Sequence, residues 1–194
     1  MSNAALNTEL LDRAIKFAVD AHAGTERRGK GFPYIVHPLE ALAIVATMTS
    51  DQELLSAAVL HDTVEDTDVD IDTIKKEFGL KVAALVQAES DVFIDGLDET
   101  SSWRMRKQAA IDRLAGASGE AKMVALGDKL SNMRAIASDY RIQGDGLWSK
   151  FHAPGGKKDH EWHYRGLAKS LESLKEYDAY KEFIKLIDDV FKEV

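Results

Sequence analysis

Prolines stand only at positions 33, 38 and 154. None interrupts residues 39–153, a stretch rich in alanine and leucine, which lose little on entering a helix. Apolar residues along it recur three and four apart, the helical spacing. Leu10, Ala14, Phe17, Ala18 and Ala21 form one stripe, which predicts a helix over about 6–22. Pro38 suits the first turn of a second helix, where its missing N–H costs nothing, running to about Thr49. Ser50 or Asp51 caps a third, through Leu60. Asp70 or Asp72 opens a fourth that ends near Gly79, and a fifth runs from Lys81 to about Val92. Further helices are expected over 103–115, 120–137, 161–174 and 177–192. Residues 94–101 read as a loop, and 143–160 as a long glycine-rich insertion between helices. No segment alternates as a strand should. The expectation is an all-α bundle of about 8–10 helices forming one domain over 1–194.

Composition narrows the chemistry. The chain has 194 residues, long enough to bury a core without covalent staples. It has no cysteine, which excludes disulfides, zinc–cysteine sites and thiol catalysis. Its 33 acidic residues outnumber 25 Lys and Arg, for a net charge of −8, so a general nucleic-acid binder is not expected. No apolar run approaches the ~18 residues of a membrane span. The N-terminus lacks a signal-peptide pattern, so no membrane partner is expected and the cytoplasm is the default location. The pattern carries no information on oligomeric state.

The chemistry concentrates at one helix end. Leu54 to Leu60 is apolar nearly all round, so that helix is expected to be buried. It runs into His61-Asp62 and then Glu65-Asp66. Buried carboxylates are costly unless paired or bound to a cation. An isolated His-Asp pair reads as a cap with a solvated acidic turn. The apolar run before this one and the acidic pair after it favour a cation site. Adjacent residues diverge on an ideal helix, so both reach one ion only where the helix end is irregular. Asp128 lies on a helix face of small and polar residues, with Val124, Ala125, Ser131, Asn132 and Ala135. Such a face suits a cleft, or an ordinary ion pair with Lys129 or Lys122. His37, before Pro38, reads by itself as a core or capping histidine.

Taken together, His37, His61-Asp62 and Asp128 resemble the pattern of the HD superfamily of metal-dependent phosphohydrolases: a histidine, then His-Asp, then a distal Asp. Three segments are similar, more narrowly, to alarmone hydrolases of the Rel/SpoT type and their small Mesh-type relatives. They are 28–38 (Arg-Gly-Lys-Gly-Phe-Pro-Tyr-Ile-Val-His-Pro), 60–67 (Leu-His-Asp-Thr-Val-Glu-Asp-Thr) and 126–134 (Leu-Gly-Asp-Lys-Leu-Ser-Asn-Met-Arg). The resemblance covers about 6–140, with C-terminal helices over 161–192. No synthetase or regulatory segment follows, so the small stand-alone form is expected.

The resemblance implies an HD-type helical bundle that removes the 3′-pyrophosphate of ppGpp or pppGpp, giving GDP or GTP and pyrophosphate. It implies Mn²⁺, with His37, His61, Asp62 and Asp128 as ligands. Glu65 and Asp66 would orient and deprotonate the attacking water. Asn132 would contact the sugar, and Arg28 the base or phosphates. The residue chemistry agrees: two imidazoles and two carboxylates suit Mn²⁺, or Fe²⁺, Co²⁺ or Zn²⁺. Arg27, Arg28 and Lys30 supply three charges on a glycine-rich loop for a nucleotide substrate, and Lys129 adds another. Lys157 and Lys158 read as solvated surface charges.

The sequence departs from the family in places. Lys30 and Phe32 fall where a serine and a glutamate are common, and Ala135 replaces a frequent threonine. Residues 89–103 hold a longer acidic stretch than expected. Trp148, His152, His160, Trp162, His163 and Tyr164 crowd a region unlike the better-known hydrolases. These departures spare the implied ligands but touch the substrate side. They leave room for another nucleotide, such as NADPH with its 2′-phosphate. A non-catalytic alarmone or metal sensor is the other alternative, against which the intact Glu65-Asp66 pair weighs.

Overall fold

The computed structural model describes residues 7–89, 99–151 and 153–192, with positions 99–101 described by their backbone alone. Among these are ten α-helical segments: α1 (Glu9–Ala21), α2 (Val36–Val45), α3 (Gln52–Leu60), α4 (Thr63–Asp66), α5 (Ile71–Phe78), α6 (Leu80–Glu89), α7 (Glu99–Ala115), α8 (Gly119–Gln143), α9 (Lys157–Ser170) and α10 (Asp178–Phe191). Short 3₁₀ helices cover Gly144–Lys150 and Glu172–Leu174. One isolated bridge pairs Glu26 with Pro33. The all-α expectation therefore holds.

Two helix starts fall where the capping residues predicted, and Ser118 caps a third that the sequence reading did not mark. Asp51 accepts from the Glu53 N–H, Asp70 from Thr73, and Ser118 from Ala121. Gly79, at φ +91°, separates α5 from α6 with a backbone conformation that L side chains rarely adopt.

Helix α8, 25 residues long, is the spine. At 1.5 Å per residue it extends about 38 Å, enough to run through both hydrophobic clusters. Its start, at Ala121 and Val124, joins a cluster with Ala14 and Ala18 of α1, Leu54 and Leu60 of α3, Ile74 of α5 and Val82 of α6. The rest of it packs Leu130 and Met133 among Trp148, Leu167 of α9 and Phe183 and Ile187 of α10. Gly127 sets the approach of α8 to α2. A Cβ there would stand 2.6 Å from Val45 Cγ2 and 2.9 Å from the Ala41 carbonyl oxygen. The next residue on α8 is Asp128, so this close crossing brings Asp128 toward His37.

Two expectations need correction. The glycine-rich stretch over 143–160 is not a long loop. Trp148 is buried and stacks on Phe191 at 5.4 Å, which anchors the 3₁₀ helix Gly144–Lys150, and α9 starts at Lys157. Glycines at φ +55°, Gly144 and Gly156, mark the two bends; composition showed the bends and missed the anchor. Within the expected loop over 94–101, residues 99–101 begin α7, while 94–98 lie outside the described residues. The expected fifth helix is seen as far as Glu89, its remainder lying outside them, and His152 lies outside them as well. Helix α8 continues to Gln143, past the expected end at 137.

Candidate metal centre

The apolar run of α3 is buried from Leu54 to Leu60, as its composition demands. The helix then breaks into a two-residue turn at His61 and Asp62 before α4. Asp62 sits at φ −91°, ψ −3°, away from ideal helix. That irregularity lets adjacent side chains face the same point.

Four side chains meet there. His37 Nε2, from the first turn of α2, lies 3.3 Å from Asp62 Oδ2 and 3.1 Å from Asp128 Oδ1. His61 Nε2 lies 3.0 Å from Asp62 Oδ2 and 3.6 Å from Asp128 Oδ1. Bonds of about 2.1 Å to a shared ion place neighbouring ligands about 3 Å apart, which matches these separations. His37, His61 and Asp128 are buried, and the His61 Nε2 atom has no hydrogen-bond partner. A buried unpartnered nitrogen between two carboxylates fits a cation.

Electrostatics point the same way. Burial alone would lower the His61 pKa, but Asp62 and Asp128 outweigh it and hold the ring well above its ordinary value. Burial works against the Asp62 carboxylate, yet His61 and His37 keep its pKa below the usual range. Asp128 is likewise held well down, against burial, by Lys129 and the two imidazoles. The acidic neighbours thus favour a positive charge at His61.

The surrounding contacts orient the ligands. Tyr34 Oη donates to Asp62 Oδ2 at 2.7 Å. Burial and the charge of Asp62 raise the Tyr34 pKa, so it stays a donor. His61 Nδ1 lies 2.8 Å from the Ala58 carbonyl oxygen, one turn back on α3, so that nitrogen carries the hydrogen and Nε2 faces the acids. His37 Nδ1 lies 2.7 Å from Ser131 Oγ on α8. Asn132 donates to Asp128 and accepts from Arg27 Nη2 at 2.5 Å.

The basic loop closes through the Glu26–Pro33 bridge, with Gly29 and Gly31 near φ +70°. This folds Arg27 back over the Tyr34 ring, 5.2 Å from its centroid. A cleft of about 260 Å³ lies beside His37, walled by Arg27, Lys30, Phe32, Glu40 and Ser131. Its volume is near the lower end of small-molecule sites. Arg28 instead lines a separate hollow of about 210 Å³ with Trp103 and Phe151. Glu65 and Asp66 sit on α4, exposed, just past the His61-Asp62 turn.

Four of the residues assigned to substrate have protein partners, Arg27 among them. Lys30 pairs with Asp139 at 2.6 Å. Lys129 contacts Asp128 and lies 3.4 Å from Glu89. Asn132 is engaged at both ends of its amide. Tyr34 and Glu40 were not singled out by sequence. Glu40 stands three residues after His37 on α2, a separation that places side chains on one helical face, and Tyr34 lies in the turn just before that helix. That spacing was the available signal.

The family model described as HD domain matches residues 14–151. The zebrafish (Danio rerio) protein named guanosine-3′,5′-bis(diphosphate) 3′-pyrophosphohydrolase MESH1 is 34% identical over 133 residues, covering 67% of this chain and 71% of that one. Its mouse (Mus musculus) counterpart is 34% identical over 151 residues, covering 73% and 80%. An Aquifex aeolicus guanosine-3′,5′-bis(diphosphate) 3′-pyrophosphohydrolase is 42% identical over 86 residues. There the match spans 44% of this chain and only 12% of the longer bacterial one. Among solved structures, a metazoan SpoT ortholog that hydrolyses ppGpp superposes with a TM-score of 0.75 at 24% identity. It covers 95% of this chain and 97% of its own, a likeness of fold. A Listeria monocytogenes EGD-e structure reaches 0.70 at 27% identity, covering 81% and 99%.

Proposed function

Because the chain belongs to the HD domain family, we propose that it is a divalent-metal-dependent hydrolase of guanosine 3′,5′-bis(diphosphate), releasing GDP and pyrophosphate. The convergence of two imidazoles and two carboxylates beside a cleft walled by Arg27 and Lys30 carries this reading. The names of the zebrafish and mouse relatives support the choice of substrate.

His37, His61, Asp62 and Asp128 would hold the ion, and their mixed nitrogen and oxygen donors suit Mn²⁺. When bound, the ion supplies Lewis acidity and a water more acidic than bulk. Glu65 and Asp66 hold the attacking water and take its proton, since carboxylates are ionised at neutral pH. The water oxygen adds to the phosphorus on ribose O3′, the P–O3′ bond breaks, and the departing O3′ takes a proton from solvent while the carboxylate returns the water's proton there. Arg27 and Lys30 line the cleft and offset substrate charge. Asn132, held by Asp128 and Arg27, presents its amide edge toward the sugar.

Purified protein with Mn²⁺ and ppGpp tests this directly. Release of pyrophosphate and GDP is expected. If a different nucleotide is cleaved and ppGpp is left intact, the substrate is wrong and the hydrolase class stands. NADPH belongs in the same assay as the second reading. Phe32 on the cleft wall favours it, because it adds an apolar surface there.

A further inference from the structure

The two histidines of the centre are oriented by different means. His61 is set by its own helix, through the Ala58 carbonyl. His37 Nδ1 instead meets a side chain, Ser131 Oγ, at 2.7 Å across the α2–α8 crossing. The serine hydroxyl has one proton to give. Its oxygen also lies 2.7 Å from Glu40 Oε2, and a carboxylate can only accept. The serine proton therefore goes to Glu40. The serine oxygen must then accept from His37, so Nδ1 carries the ring hydrogen and the Nε2 lone pair faces Asp62 and Asp128.

The chain of contacts extends further. Glu40 Oε1 lies 3.1 Å from Arg134 Nη1. Arg134 is gripped by Glu182 of α10, with Nε to Oε1 at 2.7 Å and Nη2 to Oε2 at 2.8 Å. This bidentate pair has the favoured fork geometry, and it commits Arg134 to two carboxylates rather than to a phosphate.

We propose that Ser131 and Glu40 are positioning residues that fix the metal-facing nitrogen of His37, and that Arg134 and Glu182 hold Glu40 in place from the C-terminal helix. The proposal rests on the metal reading above. Second partners of this kind typically change metal affinity by about 10–100-fold when removed.

The test measures Mn²⁺ affinity of the full chain without nucleotide, by the paramagnetic resonance signal of free Mn²⁺. Ser131→Ala is expected to weaken binding by about 10–100-fold. Ser131→Thr keeps the hydroxyl and should stay within about threefold of wild type. Glu40→Ala, at a partly exposed position, should weaken binding even if Ser131→Ala folds poorly. Nitrogen NMR on the ion-free protein should find the hydrogen of the neutral His37 ring on Nδ1 in wild type and redistributed in Ser131→Ala. A purely structural role would lower metal-free stability and leave affinity and tautomer unmoved. The proposal is overturned if Ser131→Ala binds Mn²⁺ like wild type, or if Ser131→Thr is as weak as Ser131→Ala. Wild-type protein that binds no divalent ion would instead remove the metal reading, and this proposal with it.

Discussion

Two histidine neighbourhoods in this molecule have opposite electrostatics. At the α2–α3–α8 junction, His61 stands between carboxylates and its pKa is raised. Near the start of α9, His160 and His163 stand among aromatic rings. His160 lies 4.7 Å from Phe151 and 5.4 Å from both Trp103 and Trp148. Burial pushes His160 down to about 4, with Asp159 opposing, and pushes His163 well below its usual value. Both sets are buried, so burial alone does not decide what a histidine does. Acidic partners make one set a candidate cation site, and aromatic partners make the other a neutral packing element.

The sharpest way to break that contrast is to remove an acid. Asp128→Ala should abolish metal occupancy and cut hydrolysis by about 10³-fold or more, as loss of a metal's charge stabilisation implies. His160→Phe should leave occupancy full. Elemental analysis of both variants decides it, and full occupancy in Asp128→Ala would contradict the ligand assignment.

Glu65→Ala and Asp66→Ala come next. Each should lower turnover by about 10²–10⁴-fold with the ion still bound, the usual loss for a proton acceptor. Loss of the metal in either would move that residue into the ligand set. Tyr34→Phe deletes the donor to Asp62 and should weaken Mn²⁺ binding by about tenfold, read by chelator competition.

The aromatic neighbourhood should show itself in acid. A histidine held neutral by folding takes up its proton more readily when unfolded. Its contribution is therefore fully present above about pH 6.5 and is lost as pH falls toward about 4. The loss for His160 is at most about 3 kcal/mol. Denaturant titrations of ion-free protein should show a shallower acid limb in His160→Phe than in wild type; identical limbs would assign the ring no such role. The smallest effect is expected at Lys157, whose ammonium meets Tyr140 Oη at 2.8 Å and the exposed Asp145 at 3.4 Å. Lys157→Ala should cost under about 1 kcal/mol and leave hydrolysis unchanged.

Much of the fold is readable from periodicity and caps. Asp51 and Asp70 mark helix starts, and the apolar run from Leu54 buries α3 as its pattern requires. The order His37, His61-Asp62, Asp128 identifies which side chains meet. The glycine-rich stretch misled because glycine reports local freedom, whereas Trp148 is fixed by Phe191 more than 40 positions away.

Local spacing decides which face a residue occupies, and that much the chain determines unaided: helices, buried stripes and the chemical types that gather at the α3 end. Which residue stands opposite another is set by how helices cross. Gly127 lets α8 lie close on α2, and only that crossing brings Ser131 to His37 and, through Glu40 and Arg134, the α10 carboxylate of Glu182 into line with a candidate metal ligand. The pairing of Lys30 with Asp139 and of Arg27 with Asn132 was decided in the same way. Hydrogen bonds and ion pairs act over about 3 Å, a separation that helical period cannot specify for residues roughly a hundred positions apart.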